Sequence, residues 1–272
     1  MSTNEQGDRL LQTVAACGAA LSAGSGAASA QTKAPAAAAP VFEKLPPWKV
    51  IYYLEYRIPQ GKLDEFVSHW GGTQVPTLEK RTGQALWGGW SCLTGPDNVL
   101  THNWAYRDLG HYETAGTLRR TDPEVVAAFG RQTVPIQGNL TSTFIERLSY
   151  HPETYPDPQR EPGIIATHRI NTNMSAAPGP RDKEHQSAAS EYVQAAAKHG
   201  AKLVGAFQTM TGVTTPNFQL HVWRYADMKH YWDSRAAIEA DPECRRLLAV
   251  MRDVYPQEIV QLHRPLSYSR LR

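Results

Sequence analysis

The amino-acid sequence predicts an α+β fold in which two tandem βαββαβ domains pair their sheets into one α+β barrel. Two observations carry this reading. The stretch "HNWAYRDLGHY", His102 to Tyr112, returns as "HVWRYADMKHY", His221 to Tyr231, with six of eleven positions identical at an offset of 119. At that offset Asp122-Pro123-Glu124 falls on Asp241-Pro242-Glu243 and Asn98 on Asn217, while Leu148-Ser149-Tyr150 matches Leu266-Ser267-Tyr268 at 118. Arg57-Ile58 matches Arg169-Ile170 at 112, so two copies of about 100 residues follow one another. A period this long marks duplicated domains, not a solenoid. Within each copy, strand-like and helix-like periodicities then alternate in one order.

The first 48 residues read as a leader and linker. "LLQTVAACGAALSAGSGAASAQ" is rich in Ala, Gly and Ser and ends in Ala28-Ser29-Ala30, an A-x-A cleavage pattern. Arg9 is the only base before it, and Glu5 and Asp8 oppose it. Export with cleavage near Ala30 is one expectation, and a cytoplasmic chain with a disordered tail is the other. "TKAPAAAAPVFEKLPP" reads as a linker.

The first domain occupies residues 49–150. "KVIYYLEYRI", rich in Tyr and Ile, reads as a strand. Leu63, Phe66, Val67 and Trp70 lie on one helical face, and Gly71-Gly72 with Pro76 should kink or break that helix. "ALWGGWSCL" and "NVLTHNWAY" form a hairpin around "TGPD". A helical region follows Asp108. A second opens at Asp122, an N-cap aspartate with Pro123 at the first helical position. "NLTSTFIERLSY" closes the unit as a strand. "HPETYPDPQREP", 151–162, is a Pro-rich linker.

The second domain, 163–272, repeats the plan. "GIIATHRI" is its first strand, Ala188, Ala189, Tyr192, Val193 and Ala196 mark its first helix, and "AKLVGAFQTM" and "NFQLHVWRY" form its hairpin. Cys244, Leu247, Leu248 and Met251 mark the last helix, and "EIVQLHRPL" the last strand. This order is the ferredoxin-like split βαβ plan. Helices cover one face of each sheet, and the bare faces can be buried only against something else. Two sheets in one chain can bury them against each other, with a lumen between.

Composition narrows the function. The net charge is only +2 and no basic patch interleaves with aromatics, so nucleic acid is not an expected partner. No run reaches the length of a membrane span. Cys17, Cys92 and Cys244 lie far apart, with neither metal nor redox spacing. Cys92 and Cys244 read as buried thiols, with a disulfide between them as the alternative in an exported chain. No clustered His or carboxylate spacing supports a metal site. The 12 Tyr and 7 Trp need a core, an interface or a ligand cavity.

"LEKRTGQALWGGWSCLTGPDNVLTHNWAYRDLGHY" and "AAKHGAKLVGAFQTMTGVTTPNFQLHVWRYADMKHY" both resemble the NIPSNAP family of the dimeric α+β barrel superfamily. The shared features are a helix ending before Gly, a hairpin, and a strand with His-x-Trp-x-Tyr followed by Asp. The resemblance implies a ferredoxin-like barrel and no obligatory cofactor. Related barrels include cofactor-free monooxygenases, muconolactone-type isomerases and haem-dependent dehydratases, so the fold does not name a reaction. In the family the first strand often carries Arg-x-Tyr. Here Leu54-x-Tyr56 and Ala166-x-His168 stand there, which puts a polar role for that arginine in doubt.

His102, Trp104 and Tyr106 alternate and so share one strand face, as do His221, Trp223 and Tyr225. If that face lines the lumen, it offers aromatic walls and an imidazole able to act as general base. If it packs under the helices, the aromatics are core and each histidine is a satisfied buried polar group. Tyr53, Glu55 and Arg57 share a face of the first strand, answered by Thr167 and Arg169 in the second copy. Glu55 beside an arginine reads either as a proton-handling pair or as an ion pair at a rim. His168 and His263 occur in the second copy alone, which marks it as the more specialised. His111 and His230 fall in first helical turns, with capping or solvent roles. The functional expectation is a cofactor-independent enzyme or binder of a small apolar or aromatic molecule in the lumen. The alternative is a non-catalytic interaction protein. Exposed sheet edges make a homodimer an expectation too.

Overall fold

The computed structural model describes residues 48–95, 98–152, 163–172, 180–210 and 217–271. The leader, most of the Pro-rich linker and the hairpin turn at Pro96-Asp97 lie outside the described residues. The first half runs β1 (Val50–Arg57), α1 (Leu63–His69), α2 (Val75–Thr82), β2 (Ala85–Cys92), β3 (Val99–Tyr106), α3 (Leu109–Thr121), α4 (Pro123–Gly130) and β4 (Gly138–Arg147). The second runs β5 (Ile164–Asn171), α5 (Pro180–Ala197), β6 (Lys202–Thr209), β7 (Phe218–Tyr225), α6 (Met228–Ala240), α7 (Pro242–Val254) and β8 (Glu258–Pro265).

The eight strands close into an antiparallel barrel in the order β1-β3-β2-β8-β5-β7-β6-β4. Each half supplies four neighbouring strands, and two seams join them. At one, Trp90 to Cys92 pair with Pro265 to His263; at the other, Ile145 to Arg147 pair with Thr209 to Phe207. The seams join β2 to β8 and β6 to β4, which is the same junction made twice. Closure gives every strand two partners and removes the free edges on which a homodimer was expected.

Duplicated local chemistry builds duplicated elements. Asp108 and Asp227 cap α3 and α6 by accepting the backbone N–H of His111 and His230. Asp122 and Asp241 cap α4 and α7, each followed by proline at the first position. The Gly71-Gly72 segment does not break its helix. The chain stays helical from Trp70 to Gln74 as a π-turn that joins α1 to α2. β2 and β6 carry the same bulge, at Leu86/Gly88 and Leu203/Gly205. There Trp90 and Phe207 fold back over the glycines, and a Cβ on Gly88 or Gly205 would lie 2.4 or 2.5 Å from the ring.

Every residue of β2 and β3 is buried, because one sheet face packs on helices and the other lines the barrel. An eight-stranded barrel is just wide enough for side chains to fill. Trp48, Trp87, Trp90, Phe207 and Phe218 fill this one, with Ile51, Ile145, Ile165, Leu220 and Val222 between them, none more than 4% exposed. The Trp87 ring lies 5.3 Å from Phe207 and 6.2 Å from Trp90, both edge-on. Outside, Phe66, Trp70, Val75 and Leu78 cover the first sheet. Ala188, Ala189, Tyr192 and Ala196 of α5, with Leu247 and Met251 of α7, cover the second. Cys92 and Cys244 are both free and buried. Cys244 packs among the helices, whereas Cys92 sits on β2 beside Gln261 of β8, so no disulfide joins them.

Candidate functional site

The strand signature points outward. Trp104 and Tyr106 pack with Phe66, Trp70 and Leu78, and Trp223 and Tyr225 with Ala188, Tyr192 and Leu247. These four, expected as cavity aromatics, therefore belong to the helix-facing core rather than to the lumen. The opposite face of β3 carries Thr101, Asn103 and Ala105, small groups that leave the barrel interior to Trp48, Trp87 and Trp90. Tyr106 is also satisfied, giving its hydroxyl proton to Gln84 and accepting from Arg119 at 2.9 Å.

His102 and His221 lie on that same helix side, and each is completed by the other half of the chain. Tyr268, just after β8, reaches back to His102 Nε2 at 2.9 Å. Tyr150, just after β4, reaches forward to His221 Nε2 at 2.6 Å. The repeated Leu-Ser-Tyr and His-x-Trp-x-Tyr motifs are thus two ends of one reciprocal latch. In the first half it is sealed. Tyr56 Oη lies 2.9 Å from His102 Nδ1, and Trp70 packs 4.9 Å from the ring with Phe66 stacked on Trp70. Burial pushes His102 down to about 3, so the ring is a neutral, fully satisfied core group. His111 and His230 are structural as well. Each ring accepts a backbone N–H at its own loop, from Arg107 and Ala226.

The second half departs from this pattern. His168 stands directly opposite His221, where Leu54 faces His102 in the first half, and α5 faces the sheet with alanines instead of phenylalanine and tryptophan. His168 Nδ1 lies 2.7 Å from Glu258 Oε1. His185, on the buried face of α5, is fully buried, and neither ring nitrogen meets a protein partner. Its ring lies 4.9 Å from Tyr255. Burial first, and then repulsion from His168 and His185, pushes His221 down to about 3. Burial holds His185 down at about 4 against the pull of Asp182 and Glu258. Burial opposes ionisation of Glu258, but attraction to and hydrogen bonding with His168, aided by Arg252 and Arg235, prevail and hold it down at about 2. Three buried histidines and one part-buried carboxylate thus share the space between α5 and the sheet.

A surface groove of about 480 Å³ runs beside this cluster, lined by Tyr150, Pro152, Val193, Ala197, Gly200, Ala201, Lys202 and Leu203. The Tyr150 ring forms part of its wall, while the Tyr150 hydroxyl turns inward to His221. Burial raises the Tyr150 phenol well above its usual range, so it donates its proton to the neutral imidazole.

Tyr53, Glu55 and Arg169 come together at one end of the barrel interior, and Arg57 does not join them. The Tyr53 phenol is raised by burial and by Glu55, with Arg169 opposing and a Thr101 hydrogen bond helping to lower it. Glu55 accepts from Thr141 at 3.2 Å, Arg169 lies 4.4 Å from the Phe218 ring centre, and Arg57 is exposed at the rim. His263 lies deeper, 2.8 Å from Thr167 and pushed down by burial to about 3. With the middle of the barrel filled, this end is a polar cap on a packed core.

Sequence reasoning reached His168 and His221 but missed Tyr150, His185 and Glu258 as partners. His185 stands at helical spacing with Ala188, Ala189 and Tyr192, and a histidine on an apolar stripe is a readable signal. Glu258 alternates with Val260 and Leu262 and so shares their helix-covered face.

A monooxygenase of provisional assignment from Lactobacillus acidophilus superposes with a TM-score of 0.53 at 10% identity, over 81% of this chain and 98% of that one. Another from Fusobacterium nucleatum gives 0.54 at 12% identity, over 80% and 93%. Both establish likeness of fold alone. A NIPSNAP domain protein from Burkholderia xenovorans, 23% identical, covers 38% of this chain and 99% of its own with a TM-score of 0.35. No curated protein sequence matches the chain. No helix among the described residues is long and apolar enough to cross a membrane. The NIPSNAP sequence pattern matches residues 53–151 and again 177–270, the two halves of the barrel, and the chain belongs to the NIPSNAP family.

Proposed function

We propose that this protein binds a small, largely apolar or aromatic molecule without a cofactor, and that the second half carries the site. The observation behind it is the groove beside Tyr150, whose hydroxyl is bonded to His221 next to the His168–Glu258 pair. Its size suits a small ligand, and apart from Lys202 its lining is apolar, with the Tyr150 hydroxyl turned to the histidines. A proton relayed through Tyr150 to His221 charges a buried imidazole, a cost that the nearby Glu258 carboxylate offsets and that has no counterpart at His102, and such a relay is the chemistry of an isomerase, a cyclase or a cofactor-free oxygenase. The catalytic weight thus moves from Glu55 and His102 to Tyr150 and His221.

Native mass spectrometry of freshly purified protein tests this, followed by a thermal-shift screen of hydroxylated polycyclic aromatics. Retention of one small molecule, abolished by Ala197→Trp in a folded variant, supports the reading. Tyr150→Phe should keep binding and lose turnover. No retained molecule and no shift with any compound would sink it. The second reading, a non-catalytic interaction protein, draws on the filled barrel and the fully satisfied His102, and that null result would favour it.

In this proposal each half is a ferredoxin-like domain, 49–150 and 163–272, joined by the linker at 151–162. The leader directs export with cleavage near Ala30, which the intact mass of the mature chain would test. Self-association, if retained, falls to helix surfaces such as that around half-exposed Trp232, since the barrel has no free edge.

A further inference from the structure

His199, Asp241 and Cys244 are separated by more than 40 residues and then by three, a spacing that suggests nothing in the sequence. The fold brings the C-terminal end of α5 against the start of α7, and one donor atom from each residue then lies within 4.8 Å of the others. Asp241 is divided between two tasks. Its Oδ1 caps α7 by accepting the N–H of Glu243 and Cys244, while Oδ2 turns to His199 Nε2 at 2.7 Å. Cys244 is a free thiol buried directly behind them.

The first half supplies an internal control. Asp122 caps α4 in the same way, through Glu124 and Val125. There its second oxygen is held by Arg81, and Val125 stands where the second half has Cys244. One scaffold therefore carries a fixed cation and a valine in one copy, and an imidazole and a thiol in the other. A guanidinium is a fixed positive charge with no lone pair to offer a metal ion. A neutral imidazole has one: His199 can release the carboxylate, shift its Nε2 proton to Nδ1 and turn the freed lone pair to the ion.

We infer that His199, Asp241 and Cys244 form a binding site for a thiophilic divalent cation of the zinc type, clipping α5 to α7. Thiolate, imidazole and carboxylate are the donors that zinc takes, and they disfavour magnesium and calcium. Bonds of about 2.0–2.3 Å in a tetrahedron set donor separations of roughly 3.5 Å. Side-chain adjustments of about 1 Å reach this, drawing the thiol in and opening the His199–Asp241 hydrogen bond. The thiol gives up its proton to solvent as the ion binds. The fourth position falls to water or to the neighbouring Glu243.

The test uses the full chain, stripped with chelator and titrated with Co²⁺. One equivalent should produce a thiolate-to-cobalt charge-transfer band with tetrahedral d–d bands, and Zn²⁺ should displace it and raise Tm. Cys244→Val places the first half's own residue at this position, so the core stays filled. It should abolish the charge-transfer band although Cys17 and Cys92 remain. His199→Gln should weaken binding at least tenfold. Absence of the band in the unaltered protein, or a band unchanged in Cys244→Val, overturns the inference.

Discussion

Mild acid should unfold this protein well before its carboxylates titrate. His102, His185, His221 and His263 are each at most 3% exposed, and burial pushes all four from 6.5 down to about 3 or 4. The folded state therefore keeps them neutral where the unfolded chain takes up protons. Their contribution is fully present above about pH 7.5 and is lost as pH falls through 6.5 toward 3–4. At pH 5.5 each unfolded histidine has gained a little over ~1 kcal/mol by protonation, so the four together remove roughly 5–6 kcal/mol. That is comparable to the whole stability of an ordinary domain, roughly 5–15 kcal/mol. Glu258, held at about 2, also favours the folded state, but its part is lost only below about pH 4.5 and so lies outside this window. Urea unfolding followed by tryptophan fluorescence at pH 7.5, 6.5 and 5.5 measures the effect. With His151, half-buried and pushed down to about 4 as well, unfolding should take up between four and five protons at pH 5.5. His185→Leu, which removes two unpartnered nitrogens, should raise stability at pH 5.5 and lower that uptake by about one. A fall of less than about 1.5 kcal/mol from pH 7.5 to 5.5 would refute the reasoning, since one buried neutral histidine alone supplies that much.

Two further expectations follow from the duplicated geometry. Tyr268→Phe removes the nearer of two hydroxyls from His102 Nε2, leaving Tyr56 at 3.2 Å, and should cost about 1 kcal/mol in denaturant unfolding; an unchanged midpoint would show that the latch between the halves carries no energy. Gly88→Ala and Gly205→Ala set a methyl against Trp90 and Phe207 and should each cost about 1–3 kcal/mol, whereas Gly72→Ala, with nothing within 4 Å, should be neutral or slightly stabilising. Thermal unfolding of the three variants checks this ordering.

Element types and their order were legible from local chemistry. The Asp-Pro-Glu repeats mark helix starts through capping, and the Tyr- and Ile-rich runs mark strands through period-two alternation. The π-turn at Trp70 to Gln74 was not legible, because Gly71 and Gly72 weaken a helix locally while packing of Trp70 against His102 holds it. The candidate site was half legible. His168 stood out as peculiar to the second copy, but nothing local joins it to Glu258, 90 residues away, or His221 to Tyr150.

Residue order and local chemistry suffice to establish that there are two copies of one unit, which elements each contains, and which residues share a strand face. Alternation places His102, Trp104 and Tyr106 together without saying which way they look. In an open sheet polarity would decide, because one face meets water. Here both faces are buried, one under helices and one inside a barrel, and both are largely apolar. Only the closure of eight strands around a narrow, already filled interior sent the large aromatics and their histidines outward. The same closure gave each histidine a tyrosine from the opposite half.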